Sequence, residues 1–235
     1  MRDSTKKTVC VLSACMIFVS CSADRGQDGR DRKAHARAAA VQSAVETELK
    51  LRDRAVEEYV GSLSLEEQTA QLFIENLEGD ALFIPVERAG ALHGKRRTGE
   101  PLIPGGYLFF SYNIADTPQK IASFTASIRS YCTARSIIPP YLALDQEGGE
   151  VNRLRGIAGP LPSQERVALC MTPAQAYELY SLQAVQMRAL GFTMNLAPVA
   201  EVCTDANRSF LAGRSFGSEE QAVAYGTAEI NGFQN

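Results

Sequence analysis

A short apolar run that ends in two carboxylates and a pair of glycines constrains the fold of this chain most strongly. Residues 141–144 read Tyr-Leu-Ala-Leu, which has the length and composition of a buried strand. Asp145 and Glu147 follow it, and then Gly148 and Gly149 allow a sharp turn and the close approach of a ligand. At the end of a strand in an α/β protein, a carboxylate such as Asp145 faces the side of the sheet where ligands usually bind. These residues alone leave open whether Asp145 binds a ligand or only caps the next segment.

Strand and helix signals alternate along the chain after residue 61. Thr117-Pro118 and Thr172-Pro173 each place a capping threonine before a proline in the first helical turn, and Ser64 with Glu67 forms a capping box. The predicted strands are 72–74, 105–110, 141–144 and 191–202, and the predicted helices that follow the capping box are 117–136, 172–190 and 219–233. Strands that alternate with helices imply a parallel sheet with right-handed crossovers. The predicted fold is therefore α/β, the N-terminal half of a TIM-type (β/α)₈ barrel, because a complete barrel of eight units takes about 250 residues.

The first 21 residues have the layout of a bacterial lipoprotein signal. Lys6 and Lys7 precede an apolar run at 8–20, which is shorter than the about 20 residues needed to span a bilayer. The run ends at Cys21 in a sequence that resembles a lipoprotein cleavage box, and Cys15 closes an alternative box after a very short apolar core. We expect lipidation of Cys21 and an exported lipoprotein anchored to a membrane, in the periplasm or at the cell surface. Secretion without a lipid is the other alternative.

Residues 22–61 separate this signal from the predicted barrel. Residues 22–33 are rich in Asp, Arg and Gly, with almost nothing apolar to bury, which is typical of a flexible tether. Val41, Val45 and Leu49 follow at four-residue spacing and predict a long helix with one narrow apolar stripe. The predicted organisation is a signal segment at 1–21, a tether and helix at 22–61, and a partial barrel domain at 62–235.

Composition narrows the function classes. With a net charge of -3, the chain shows no electrostatic footprint for nucleic acid. Of the six cysteines, Cys132, Cys170 and Cys203 lie beyond the signal and lack the spacing of metal ligands, so we expect small buried apolar residues there. The sequence implies no metal and no organic cofactor.

Three segments together carry a resemblance to a known family. Residues 145–153 read Asp-Gln-Glu-Gly-Gly-Glu-Val-Asn-Arg, residues 195–202 read Asn-Leu-Ala-Pro-Val-Ala-Glu-Val, and residues 213–217 read Gly-Arg-Ser-Phe-Gly. They resemble the N-terminal barrel domain of glycoside hydrolase family 3, in particular its β-N-acetylhexosaminidase branch, in which the segments read close to DQEGGRVQR, NFAPVLDV and GxRSFG. The resemblance covers about residues 62–235. Glu150 stands where the family usually has arginine, so one charge near the site is reversed.

The resemblance implies a sugar-binding role for three residues. Asp145, Arg153 and Arg214 match family residues that bind the terminal N-acetylglucosamine, since sugar hydroxyls need both acceptors and donors. Asp145 would accept hydrogen bonds from ring hydroxyls, and Arg214 would donate to a hydroxyl or help to fix Asp145. Purely structural ion pairs are the alternative for the two arginines. The residues expected to support the site are Glu147, Gly148, Gly149 and Asn195.

The catalytic residues that the resemblance implies are not found among these 235 residues. The family branch uses an aspartate nucleophile late in the barrel and a histidine acid/base in a motif close to KHFPGHG. His35 and His93 lie in no such motif. We therefore expect a retaining hydrolase of N-acetylglucosamine-containing glycans, such as peptidoglycan fragments or chitin oligomers, whose present chain binds the sugar without cleaving it. If this chain did cleave, Glu147 or Glu201 would be the first candidate for the nucleophile.

Two other classes remain open at this point. One is a non-catalytic sugar-binding lipoprotein built from half a barrel. The other is a truncated product without a function.

Overall fold

The computed structural model describes residues 28–85 and 101–235, with side chains from residue 35 onward. Cys15, Cys21 and His93 lie outside the described residues, and so do the signal predictions that concern the two cysteines. The chain divides into two compact units, Met1–Gly61 and Ser62–Asn235.

The described residues of the first unit lie in a long helix, α1, which spans Asp28–Ser62. The predicted helix is therefore present, but it begins within residues 22–33, the segment predicted as a flexible tether. Within the described residues, none of the helices has the length and apolar character that a membrane span requires.

The second unit alternates helices and strands. Its helices are α2 (Leu65–Ala70), α3 (Pro118–Thr133), α4 (Arg155–Ala158), α5 (Gln164–Cys170), α6 (Pro173–Ala189), α7 (Arg208–Leu211) and α8 (Glu219–Gln234). Its strands are β1 (Ile74–Asn76), β2 (Gly106–Phe109), β3 (Tyr141–Leu144), β4 (Gln146–Gly148), β5 (Val151–Asn152) and β6 (Met194–Asn195), and a 3₁₀ turn spans Ser111–Asn113.

Four of these strands form a parallel sheet in the order β1-β2-β3-β6. The register pairs Tyr107 with Leu142 and Leu144 with Asn195, so β2, β3 and β6 end at the same edge of the sheet. The α/β fold with a parallel sheet is thus confirmed. Strands β4 and β5 form a separate antiparallel pair directly after β3.

Local capping explains where the longer helices begin. The Thr117 side chain accepts a hydrogen bond from the backbone N–H of Lys120, and Pro118 opens α3. Thr172 with Gln175 forms a capping box at α6, and Ser64 with Glu67 forms one at α2. Each box satisfies backbone donors that a helix start leaves unpaired, so the sequence alone was sufficient to predict these positions.

The core lies between the sheet and its helices. Leu142 and Leu144 are fully buried, as expected for a central parallel strand that is covered on both faces. The Phe109 ring meets the Phe124 and Phe192 rings edge to face, with centroids 5.7 and 5.1 Å apart. A second cluster of buried residues comprises Val167, Ala168, Ala176, Tyr180, Phe216 and Ala228. These contacts hold β3 and its neighbouring strands in place, and so they set the positions of the residues that follow the strands.

The bounds of two predicted strands need correction. The first strand is Ile74–Asn76 instead of 72–74, because the residues before it form a hydrogen-bonded turn in which the N–H of Phe73 donates to the carbonyl of Ala70. The fourth strand is only Met194–Asn195, because the backbone of the following loop bonds to side chains, such as Val199 to Gln164.

The expectation of buried cysteines is correct for Cys132 only. Cys170 is exposed, since it is the last residue of the short helix α5 and lies outside the buried cluster of that helix. Cys203 is partly buried in the loop after β6.

Candidate functional site

Asp145 follows the last residue of β3, at the edge where the parallel strands end. Its carboxylate oxygen Oδ2 accepts a hydrogen bond from Nη2 of Arg153 at 3.0 Å. Both side chains are about one-fifth exposed, at 23% for Asp145 and 22% for Arg153. The Arg153 guanidinium carbon also lies 5.7 Å from the centroid of the Phe110 ring. The pair therefore remains accessible from the strand ends while its arginine is held from two directions.

Glu147 and Arg214 form a second and tighter pair. Arg214 donates from Nε to Oε2 of Glu147 at 2.8 Å and from Nη2 to Oε1 at 2.7 Å. The Glu147 side chain is only 5% exposed, whereas that of Arg214 is 36% exposed. The hydrogen bonds that Arg214 donates to Glu147 raise the pKa of its guanidinium, and the charges of Glu147 and Asp145 add to that rise against the effect of burial. This is an in-plane bidentate ion pair with a buried carboxylate.

The structure pairs Arg214 with Glu147 instead of Asp145. Of the two roles predicted for Arg214, that of fixing Asp145 is taken by Arg153, whereas donation to a hydroxyl stays a prediction. The reason is the break after β3: Asp145 ends the parallel strand, and Glu147 lies in β4 of the next hairpin. The two carboxylates consequently point into different environments although a single residue separates them.

Gln146, which the sequence reasoning did not single out, anchors this hairpin. Its backbone N–H donates to Oδ1 of Asn195 at 3.0 Å, and its carbonyl accepts from the side-chain amides of Asn195 at 3.3 Å and of Gln183 at 3.1 Å. Its own side chain donates to Asn152 at 2.8 Å and accepts from the backbone N–H of Leu154 at 3.1 Å. Asn195, for which the sequence predicts a supporting role, connects the hairpin to β6 through these hydrogen bonds.

The two glycines shape the turn of the hairpin. Gly148 has a φ of +91°, and a Cβ placed on it would lie 2.1 Å from the carbonyl oxygen of Pro162. Gly149 has a φ of +56°, and its Cβ would lie 2.8 Å from the Cβ of Ser163. Neither backbone conformation nor the available space suits a larger residue, so both glycines are required by the close approach of the chain before α5.

The segment that carries Arg214 is pinned on both sides. The backbone N–H of Arg214 donates to the carbonyl of Leu211 at 2.9 Å, and the carbonyl of Gly217 accepts from Cys203 at 2.8 Å. The Ser215 hydroxyl donates to the carbonyl of Glu201. The carboxylate of Glu201 itself is exposed and accepts a hydrogen bond from the Asn207 side chain at 3.0 Å.

A third carboxylate, Glu229, is fully buried in α8. Its Oε2 accepts a hydrogen bond from the Gln164 side chain at 3.1 Å, and Oε1 has no hydrogen-bond partner. Burial raises the pKa of Glu229 to about 8, although the hydrogen bond from Gln164 acts in the opposite direction. Gln164 also accepts from the backbone of Val199, so Glu229 belongs to a buried network below the loop that follows β6. No local sequence signal marked this position.

Among the described residues, no group of three or more His, Cys, Asp or Glu side chains is placed to bind a metal ion. The residues at the strand ends form a polar cluster of two carboxylates and two guanidinium groups, which are joined by three hydrogen bonds. Oδ1 of Asp145 and Nη1 of Arg214 form no hydrogen bond within the described part of the chain. The arrangement therefore presents a carboxylate acceptor beside guanidinium donors, which suits a ligand with several hydroxyl groups.

Comparisons with known proteins agree with this architecture. The family model described as "Glycosyl hydrolase family 3 N terminal domain" matches residues 97–235, which is more than half of the chain. Beta-hexosaminidase LpqI of Mycobacterium tuberculosis is 37% identical over 100 residues, which are 42% of this chain and 26% of that protein. A beta-hexosaminidase of Pseudomonas aeruginosa is 34% identical over 133 residues, which are 54% of this chain and 37% of that protein.

A solved structure gives the same picture for the fold. The family 3 β-N-acetylglucosaminidase from a Paenibacillus species superposes with a TM-score of 0.62 at 26% sequence identity, covering 74% of this chain and 31% of that chain. The chain thus spans well under half the length of these relatives.

Proposed function

Because the chain belongs to glycoside hydrolase family 3, we propose that its residues 62–235 form the first half of a (β/α)₈ barrel. We also propose that the residues at its strand ends bind a terminal N-acetylglucosamine. Four parallel strands in sequential order support the barrel, since a TIM barrel is built from eight parallel strands in that order. A groove of about 510 Å³ also runs beside β6, lined by Met187, Phe192 and Ile230 among others. A further strand and helix would cover such a groove in a complete barrel.

The observation that carries the sugar site is the pairing of carboxylates with arginines at the ends of the strands. Asp145 keeps Oδ1 free of protein hydrogen bonds within the described residues, and Arg214 likewise keeps Nη1. The hydroxyl groups of a sugar can donate to the first and accept from the second. The family match, together with relatives named beta-hexosaminidases, points to an N-acetylhexosamine as this sugar.

The reaction we propose for the whole protein is hydrolysis of terminal β-N-acetylglucosaminides. Retaining hydrolysis needs a nucleophile and an acid/base group on either side of the scissile bond. Here both oxygens of Glu147 are bonded to Arg214, and Glu201 is exposed and bonded to Asn207. We therefore propose that residues 1–235 bind the sugar without cleaving it. The same contacts are compatible with the alternative of a non-catalytic sugar-binding protein.

Titration followed by nuclear magnetic resonance tests the sugar site. The full chain, with Cys21→Ser to prevent lipidation, is titrated with N-acetylglucosamine and, as the control, with glucose. We expect chemical-shift changes centred on Asp145, Arg153 and Arg214 for N-acetylglucosamine only. Changes of equal size with glucose, or changes centred elsewhere, would remove this assignment.

An activity assay tests the second part of the proposal. The same chain should not cleave a nitrophenyl β-N-acetylglucosaminide above background, because binding without transition-state stabilisation does not accelerate the reaction. A chain that extends through a complete barrel should cleave it. Turnover by the 235-residue chain would show that one of its own carboxylates acts as the nucleophile.

We also propose export and lipid anchoring through Cys21, which rests on the sequence pattern at 8–21 alone. Cys21→Ser should release the protein from the membrane fraction, whereas Cys15→Ser should leave it there. The reverse result would move the lipid to Cys15, and release by neither change would remove the lipoprotein assignment.

A further inference from the structure

We propose that Glu147 is a positioning residue for Arg214: it holds one edge of the guanidinium so that the opposite edge is fixed for the ligand. This proposal rests on the sugar site described above and adds a residue that acts without touching the sugar. It differs from the role of a nucleophile, because both carboxylate oxygens of Glu147 already accept hydrogen bonds from Arg214.

The geometry of the pair determines which atoms remain for a ligand. Glu147 receives hydrogen bonds from Nε and Nη2, which lie on the same edge of the planar guanidinium. Nη1 is therefore directed away from Glu147, and it has no partner within the described residues. Two parallel bonds prevent rotation of the group, whereas a single bond would leave the guanidinium free to turn about it.

Glu147 is itself held firmly enough to act as a support. On one side, the backbone of Gln146 is bonded to the side chains of Asn195 and Gln183. On the other side, Gly148 packs against the carbonyl of Pro162 with no room for a Cβ. The carboxylate is nearly inaccessible to water, at 5% exposure, so water competes little with Arg214 for its oxygens. A carboxylate on such a fixed backbone also fixes the position of the guanidinium that it binds.

Arg214 depends on that support more than Arg153 depends on Asp145. The Arg214 side chain is 36% exposed and its stem would otherwise sample several rotamers, whereas Arg153 is 22% exposed and packs near Phe110. Fixing a long, half-exposed side chain before the ligand arrives lowers the entropy cost of binding. The expected consequence of losing Glu147 is therefore a weaker affinity for the sugar.

A double-mutant cycle on ligand affinity tests the proposal. The affinity for N-acetylglucosamine is measured by calorimetry in the full chain with Cys21→Ser, and in the same chain with Glu147→Gln, Arg214→Lys or both changes. Glu147→Gln should weaken binding about tenfold, because it removes a charged partner and one of two hydrogen bonds. In the Arg214→Lys background the same change should alter the affinity less than about twofold, since lysine cannot form the bidentate pair.

A matched control shows whether the effect is specific. Glu58→Gln makes the same chemical change in an exposed carboxylate–arginine pair, where Glu58 accepts from Arg54 at 3.0 Å, and it should leave the affinity unchanged. If the Glu147→Gln chain does not fold, Glu147→Asp replaces it: the charge is kept, the carboxylate is withdrawn by one methylene, and weaker binding is again expected. Unchanged affinity in the folded variant, or fully additive losses in the cycle, would overturn the proposal.

A second readout separates this proposal from the proposed function. The Nε–H proton of Arg214 should exchange slowly with water in the original chain and rapidly after Glu147→Gln, as observed by nuclear magnetic resonance without any ligand. If the original chain binds no sugar, the proposed function fails, and the exchange rate alone decides whether Glu147 positions Arg214. An exchange rate that does not respond to Glu147→Gln contradicts the positioning role.

Discussion

Two carboxylate–arginine pairs stand at the ends of the strands, and they differ in burial and in the number of hydrogen bonds. Asp145 and Arg153 share a single hydrogen bond and are each about one-fifth exposed. Glu147 and Arg214 share two, and the carboxylate is almost fully buried. Two carboxylates separated by one residue can therefore serve different purposes, because Asp145 follows the parallel strand β3 and Glu147 lies in the hairpin strand β4. We propose that the first carboxylate binds the ligand and that the second holds the side chain of Arg214 in place.

The largest expected effect comes from breaking the turn that keeps the two pairs apart. Gly148→Ala places a Cβ 2.1 Å from a backbone oxygen at a φ of +91°, so the hairpin must shift. We expect the free energy of unfolding to fall by about 3–4 kcal/mol, measured by urea denaturation. Gly156→Ala is the control, because its Cβ would meet no atom within 4 Å, and it should cost less than about 0.5 kcal/mol. Equal losses for the two variants would show that the turn does not depend on glycine.

Removing the arginine of the tight pair should be nearly as costly. Arg214→Met leaves the carboxylate of Glu147 buried without its charged partner, and we expect a loss of about 3 kcal/mol in the free energy of unfolding. Arg54→Met breaks an exposed pair of the same chemistry and should cost less than about 0.5 kcal/mol. A small loss for Arg214→Met would mean that the buried pair contributes no more than a surface pair.

Glu229 is a buried carboxylate without a guanidinium partner, and we expect it to make the free energy of unfolding depend on pH. Its pKa is raised from the ordinary value of 4.5 to about 8, so the folded chain keeps a proton in this range that the unfolded chain releases. The stabilising contribution of this proton is complete below about pH 4.5 and is lost as the pH rises to about 8, with a slope of at most about 1.4 kcal/mol per pH unit. Glu229→Gln should flatten this part of the stability profile, measured by denaturation at several pH values. An identical slope in both chains would assign the pH dependence to other groups.

The smallest expected effect comes from the open pair. Arg153→Met removes one hydrogen bond from a carboxylate that stays accessible to water, so the free energy of unfolding should fall by only about 1 kcal/mol. Chemical denaturation measured beside Arg214→Met makes the comparison direct. If Arg153→Met proves the more damaging of the two, the assignment of open and tight pairs must be exchanged.

The sequence predicted those features that depend on neighbouring residues. The helix starts after Thr117 and Thr172 and the strand at 141–144 follow from local capping and apolar patterning. The hairpin anchored by Gln146 could not be predicted from such local signals, because Asn195, the partner of Gln146, lies 49 residues away along the chain. The same holds for Arg214, whose partner Glu147 is 67 residues away, and the sequence could not show which carboxylate it would bind. Motif positions were sufficient to propose which residues lie in the site. Which carboxylate pairs with which arginine depends on tertiary packing.

The central claim is that the strand-end site binds sugar through the open carboxylate of Asp145. The most direct measurement is the affinity for N-acetylglucosamine of the chain with and without Asp145→Asn, by calorimetry, together with the free energy of unfolding of both samples. The account predicts binding that weakens about tenfold or more in the variant, because a charged acceptor is lost, while the free energy of unfolding changes by less than about 1 kcal/mol. Equal affinities, or a loss of affinity that only follows a loss of stability, would contradict it.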